Sequence, residues 1–330
     1  MKVVAFPHKP GSGGPGSFQS RFENELKLEG WKIVYAEDKI IPSIIIVVGG
    51  TKRLVWLYKM KRKGVPIIYR LDGINWLHRK TRVSVKKYVL AEYRNLNNKI
   101  IHAFLTDYVI YQSEFVKRWW DKECIKNVKR FTVIHNGVDL NIFAPMKSHG
   151  DISLVCIEGT IDYTPYSLKL LNDLRLLIDK KIEFKLYGNF EDKNNVKKLN
   201  ETIVYKGVIP LEKVPQVLQN SIFLSLDIHP ACPNSVIEAL SSGCPVVAFN
   251  SGALSELVRE KSGIIVPYGS DPWELEYPKV DLLADAVIEL YNNYNHYSDN
   301  ARSLAEKEYD IKLVFKKYNA IMNKLVKSNG

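Results

Sequence analysis

The chain is poor in cysteine and short of acid. Four cysteines, Cys124, Cys156, Cys232 and Cys244, are scattered over 330 residues. No pair has the spacing of a zinc site or a redox motif. That excludes a disulfide-framed scaffold and a structural zinc site, and it fits a reducing compartment. Cys156 and Cys244 fall in apolar runs and read as core thiols. No apolar run reaches the length that spans a bilayer, so any membrane contact is expected to be peripheral. The opening residues, MKVVAF, read as a strand and not as a signal-peptide core. Short-period repeats and low-complexity tracts are missing too. These absences together lead to the expectation of a cytoplasmic protein with peripheral access to a membrane.

Positive charge, in contrast, is in excess. Lys and Arg number 47 against 36 Asp and Glu, for a net charge of +11. The balance favours anionic partners: nucleotide phosphates, an anionic membrane surface or nucleic acid. Nucleic acid is the least expected, because aromatic residues do not interleave regularly with the basic ones. The run RKTRVSVKK (79–87) suits an anionic lipid, or else a plain solvated helix face.

Strand and helix patterns alternate along the chain. In the first half, apolar runs at 2–6, 32–35, 43–48, 66–71, 109–112 and 131–134 read as strands. A Gly-rich loop (11–16) precedes a helix over 18–29, and Ser113 is placed to cap a helix through Trp119 and Trp120. The second half restarts the pattern, with strands at 152–157, 183–187, 203–205, 222–226, 246–249 and 263–266. Repeated βα units imply parallel sheets with right-handed crossovers. The reading is therefore α/β, with two doubly wound, Rossmann-like domains and a cleft between them as the default ligand site. The expected domains are 1–145 and 146–310, linked through NGVDLNIFAP (136–145). A basic amphipathic helix near the C-terminus (311–330) is expected to pack back on the first domain.

The densest information lies in PNSVIEALSSGCPVVAFNSGALSELV (233–258). Asn234 and Ser235 are read as caps of a helix that carries Glu238, and Gly243 with Pro245 ends it. Backbone N–H groups at such a helix start suit a phosphate, and a carboxylate one turn on suits a pair of sugar hydroxyls.

Four landmarks in order resemble the retaining glycosyltransferases of family 4. They are Gly13-Gly14 after the first strand, TDYVIYQSEF (106–115), VIHNGVDLNIF (133–143) and the 233–258 block, which is similar to EA-x-x-x-G-x-PVV followed by G-x-x-x-E. The resemblance implies a GT-B fold. It implies transfer of a sugar, with retention, from a UDP- or GDP-linked donor to a hydroxyl of a glycan, lipid or protein acceptor. It also implies no cofactor and no bound metal. Glu238 matches the second glutamate of the family's E-x7-E motif, which holds the ribose hydroxyls. Asn234, Ser235 and Val236 match the turn facing the sugar and distal phosphate. Gly188 and Lys206-Gly207 match the turns around base and ribose, and Gly13 and Gly14 the loop that lets backbone approach the diphosphate.

Two departures stand out. Pro230 occupies the place of the first E-x7-E glutamate, so sugar recognition would fall to backbone groups, Asp227 or His229. The Arg and Lys that the family sets after the first strand of its second domain are also missing. EGTIDYTPYSLK offers Thr164, Tyr166, the helix start near Pro165 and, a turn deeper, Lys169. On the acceptor side, Asp72 at a strand end and His78 are the candidate catalytic residues, and Trp76 is a candidate for stacking on a sugar ring. The same departures admit a binding module without turnover, and the architecture is shared with sugar-nucleotide 2-epimerases. A DNA-base glycosyltransferase rests on the charge alone.

Overall fold

A computed structural model of the chain describes residues 2–11, 13–124, 130–146 and 150–328. The chain divides into two compact units, Met1–Gly137 with Ile311–Gly330, and Val138–Asp310. The linker motif is thereby split: Asn136 and Gly137 belong to the first unit, and the residues from Val138 on belong to the second.

In the first unit, β1 (Val3–Phe6), β2 (Lys32–Tyr35), β3 (Ile44–Val48), β4 (Ile67–Leu71), β5 (Tyr108–Tyr111) and β6 (Phe131–Val133) form one parallel sheet in the order β2-β1-β3-β4-β5-β6. β3 and β4 are buried along their whole length, β3 as an uninterrupted apolar run and β4 with Arg70 among its apolar residues. The helices are α1 (Gly13–Leu28), α2 (Leu54–Arg62), α3 (Val85–Ile100), which runs into a π turn at Ile101–Leu105, and α4 (Glu114–Glu123). Ser113 caps α4 as expected, its Oγ accepting the Val116 N–H at 3.1 Å.

In the second unit, β7 (Ser153–Thr160), β8 (Phe184–Asn189), β9 (Ile203–Gly207), β10 (Ser221–Ser225), β11 (Val246–Phe249) and β12 (Gly263–Val266) pair in parallel in the order β12-β11-β10-β7-β8-β9. Its helices are α5 (Ser167–Leu177), α6 (Val214–Val217), α7 (Asn234–Ser241), α8 (Leu254–Leu257), α9 (Val280–Asn292) and α10 (Tyr294–Glu308). Cys156 and Cys244 are fully buried. Gly243 sits at φ +68 just past α7, the left-handed stop its position predicts. One arginine ties this unit's entry to the end of α7: Arg302 Nη1 donates to Phe143 O at 2.9 Å and Ser241 O at 2.7 Å.

The last helix, α11 (Ile311–Ser328), belongs to the first unit. It buries Val314, Phe315, Tyr318, Met322 and Leu325 in the same cluster as Phe18 and Phe22 of α1. Each such side chain contributes roughly 1.5–3 kcal/mol on burial. Among the described residues, no helix is long and apolar enough to cross a membrane.

Candidate functional site

All strands of the second unit run the same way, so their C-terminal ends share one edge. Strand order reverses between β7 and β10, and an open sheet of this kind binds ligands outside the strand ends at that point. Two carboxyls stand there. Glu158 lies on β7 and Asp227 just beyond β10. Glu158 Oε1 accepts the Leu226 N–H at 3.3 Å. Burial lifts the Glu158 acid well above the usual carboxylate range, and the neighbouring Asp227 adds to the shift. Burial lifts Asp227 as well. Such a pair holds a proton near neutrality, so it can donate a hydrogen bond as well as accept one.

The segment after β10 is tightly built. His229 adopts the left-handed region, at φ +53, which is uncommon for a side chain of this size. Its N–H donates to Ser251 Oγ at 2.8 Å, and its Nδ1 lies 3.3 Å from the same oxygen. Trp273, from the turn Pro272–Glu274, stacks on the imidazole with ring centroids 3.6 Å apart. Burial lowers the His229 pKa to about 4, only partly opposed by Asp271, so the ring is neutral at physiological pH. Pro230 presses on the backbone of Gly252, where a Cβ would lie 2.5 Å from the proline nitrogen.

The start of α7 differs from expectation. Asn234 and Ser235 do not cap it. Pro233 takes the N-cap position and makes no side-chain cap, and Asn234 opens the helix. Proline suits that junction because its own nitrogen has no proton to leave unsatisfied. Val236 and Glu238 are buried, while Asn234 and Ser235 are half-buried.

Across the switch point, Gly188 is held at φ +140, and a Cβ there would meet Glu158 O at 2.2 Å. Tyr205 Oη donates to Gly188 O at 3.0 Å. Gly207, at φ +72, faces open space, and Lys206 is exposed. The structure thus brings Gly188 against Glu158 and sets Lys206, Gly207 and the residues of α7 along the same sheet edge. The substitutes considered for the absent basic pair are otherwise engaged. Thr164 Oγ1 lies 2.7 Å from Ser167 Oγ, Tyr166 pairs its hydroxyl with that of Tyr268, and Lys169 pairs with Asp173 while lying over the Tyr277 ring. Sequence reading missed Glu158, Ser251 and Trp273. Of these, only Glu158 carried a signal, as an acid at the end of a strand where a base was sought.

In the first unit, Gly13 and Gly14 are the first residues of α1 and not part of a loop. The glycine demanded by space is Gly16, where a Cβ would fall 1.9 Å from Gly11 O. Asp72 follows β4. Its Oδ1 accepts from Arg70 Nη1 at 3.0 Å and from Gln112 Nε2, and its backbone carbonyl accepts the Trp120 indole N–H at 2.9 Å. Gly49 makes room for it: a Cβ there would lie 2.8 Å from Asp72 Oδ2 and 3.5 Å from Pro15. Gly49 therefore links the start of α1 to Asp72 at one sheet edge. Burial raises the Asp72 pKa, and the Arg70 guanidinium opposes the shift. Arg70 is itself buried, with Nη2 on Asn136 Oδ1 at 2.5 Å and its guanidinium 3.8 Å over the Phe18 ring. His78 is committed elsewhere, with Nε2 on Glu92 Oε1 at 2.8 Å, and Trp76 is buried. Among the described residues, no three His, Cys, Asp or Glu side chains gather as a metal-ligand group.

These sheets have solved counterparts. Sucrose-phosphate synthase from Thermosynechococcus elongatus superposes with a TM-score of 0.76 at 14% identity, over 99% of this chain and 100% of that one. HepE from Anabaena, in complex with UDP and glucose, gives 0.70 at 15% identity over 98% and 99%. TarM gives 0.63 at 18% identity over 85% of this chain and 54% of that one. No curated protein matches the chain in sequence. Residues 166–293 match the family described as Glycosyl transferases group 1. The chain has the GT-B fold, and its similarity to Glycosyl transferases group 1 lies within the second unit.

Proposed function

We propose that the protein is a retaining glycosyltransferase that moves a sugar from a UDP- or GDP-linked donor to a hydroxyl of a glycan, lipid or protein acceptor. One observation carries the reading: α7 begins at the switch-point edge with Pro233, which makes no side-chain cap, at its N-cap, and Glu238 is buried one turn further on. The first-turn N–H groups and the helix dipole stabilise the distal phosphate, and Glu238 holds the ribose hydroxyls. Gly188 and Gly207, with Lys206, flank the base and ribose. The HepE structures hold UDP, UDP-glucose, or UDP and glucose, which supports the donor class.

Donor-sugar recognition falls to the groups that surround Pro230. Glu158 and Asp227 share a proton and so do not meet the diphosphate as two full negative charges. The neutral His229 ring presents no charge of either sign. On the acceptor side, Asp72 orients the attacking hydroxyl, and Gly13 and Gly14 open the start of α1 to the diphosphate. His78 serves by holding Glu92 and not by touching substrate. Reaction on one face of the sugar lets the departing phosphate take the acceptor proton, so neither an enzymic nucleophile nor a metal is assigned. Catalysis is then positioning and electrostatic stabilisation.

The test is thermal stabilisation by UDP, GDP, ADP, TDP and CDP, each with and without magnesium. A ligand that binds only the folded chain raises its melting temperature. One nucleotide giving a metal-independent rise, lost in Glu238→Ala, supports the donor site, and the anomeric configuration of the product then tests retention. No rise with any nucleotide overturns the proposal.

A further inference from the structure

The two units carry opposite charge. The first holds 31 Lys and Arg against 11 Asp and Glu, a net +20, and the second holds 16 against 25, a net −9. The chain's +11 therefore originates in the unit that presents Asp72. A field of that size raises the local concentration of anions and speeds their encounter with this unit.

One turn of the first unit gathers polar groups. Gly49 and Gly50 follow the end of β3. Asp72 Oδ1 is taken by Arg70 and Gln112, while Oδ2 lies against Gly49. A Cβ on Gly50 would fall 2.4 Å from Asn98 Oδ1, so this α3 carboxamide rests on the same turn. His8, just past β1, brings Nε2 to 3.3 Å from Gly50 O. A carboxylate, a carboxamide and an imidazole around bare backbone supply both acceptors and donors for a hydroxyl-rich ring.

Cations border the turn, and the nearby acids are spent. Lys9 follows His8 and Lys52 stands two residues past Gly50, both exposed. Neither has a carboxylate partner among the described residues; Lys9 lies 5.8 Å over the Tyr35 ring. Glu37 pairs with Arg53 at 3.0 Å, and Asp38 Oδ2 accepts the Tyr35 N–H at 2.7 Å. Two unpaired ammonium groups thus flank the carboxylate oxygen that faces the turn. None of the large exposed apolar side chains lies in 7–11 or 49–53, so the turn offers a lipid tail nothing to bury against.

We infer that the acceptor is an anionic glycan: a sugar hydroxyl meets Asp72 Oδ2 at the Gly49–Gly50 turn, and a phosphate, sulfate or carboxylate substituent meets Lys9 and Lys52. The inference rests on the reading that Asp72 orients the acceptor.

Fluorescence polarisation with short labelled dextran and dextran sulfate tests it, because the two glycans share a backbone and differ in charge. The wild type is expected to bind dextran sulfate alone, and more weakly as salt rises. Lys9→Gln with Lys52→Gln weakens binding by roughly tenfold, about threefold per lysine. The control, Lys324→Gln with Lys327→Gln, removes the same charge at the opposite sheet edge, where Asn323 accepts from Lys2 Nζ at 2.6 Å ahead of β1. It should keep binding within about twofold. All four lysines are exposed, and circular dichroism checks the fold. No binding of dextran sulfate, equal binding of dextran, or equal losses in the two double variants overturns the inference. So does tighter binding of duplex DNA or of phosphatidylglycerol vesicles through Lys9 and Lys52. Nucleotide stabilisation is read on the same protein. If it is present while dextran sulfate goes unbound, the donor site stands and this inference falls. If it is absent while dextran sulfate binds through these lysines, the transferase reading falls and the anionic-glycan site stands.

Discussion

Trp273 lies flat over His229, with its plane 20° from parallel and the ring centroids 3.6 Å apart. The stack helps seal an imidazole whose pKa burial holds at about 4, against about 6.5 in an unfolded chain. Between those values the unfolded state binds more protons. Stability from this residue is therefore full above the upper value and is lost as the pH falls towards the lower one. His229→Asn removes that dependence. On acidification from about pH 7.5 to about pH 4.5 the wild type should lose about 2 kcal/mol more than the variant in urea denaturation. Parallel pH profiles for the two proteins would contradict a buried neutral ring.

Glu158 has the opposite sign. Its acid is raised in the folded state, so the folded chain holds the extra proton and loses stability as the pH rises above the ordinary carboxylate range. Glu158→Gln keeps an oxygen for the Leu226 N–H and removes the charge. A gain of about 1 kcal/mol at pH near 8, fading towards pH near 4, is expected in the denaturation midpoint. A loss of stability at the higher pH would show that Glu158 is held as a carboxylate.

The two glycines flanking the switch-point edge should rank differently. Gly207 has a positive φ but open space, so Gly207→Ala costs about 1 kcal/mol in backbone strain. Gly188→Ala adds a collision with Glu158 O to its φ of +140 and should cost more than about 3 kcal/mol. Equal losses in thermal denaturation would mean that the β7–β8 approach relaxes freely.

Phe22 meets Tyr318 edge-on, with ring centroids 5.0 Å apart, across the α1–α11 contact. Each alanine substitution should cost about 3–5 kcal/mol, and a double-mutant cycle should return a coupling of about 1 kcal/mol. A coupling near zero would detach α11 from α1.

Much of the framework was legible because buried parallel strands leave uninterrupted apolar runs. The run in β3 is Ile44–Val48, and every residue in it is buried. Asp72 was legible as an acid just past the end of a strand. The start of α7 was misjudged because cap preference favours Asn and Ser, whereas the chain turns one residue earlier, at Pro233. Gly13 and Gly14 looked like loop residues because glycine lowers helix propensity, yet α1 begins with them. The His229–Trp273 stack had no local signal, since the partners are far apart in sequence and meet only through tertiary packing.

Because α11 completes the first unit, that unit is finished only after the whole second unit has been made. Through the synthesis of the whole second unit, Phe18, Phe22 and Leu26 wait without their cover. Domains ordinarily fold in the order they emerge; here the second-made unit can close first. A nascent chain stalled or clipped before Ile311 would carry a finished second unit and an open, sticky first one. Closure of the first unit therefore waits on α11, however early its sheet is made.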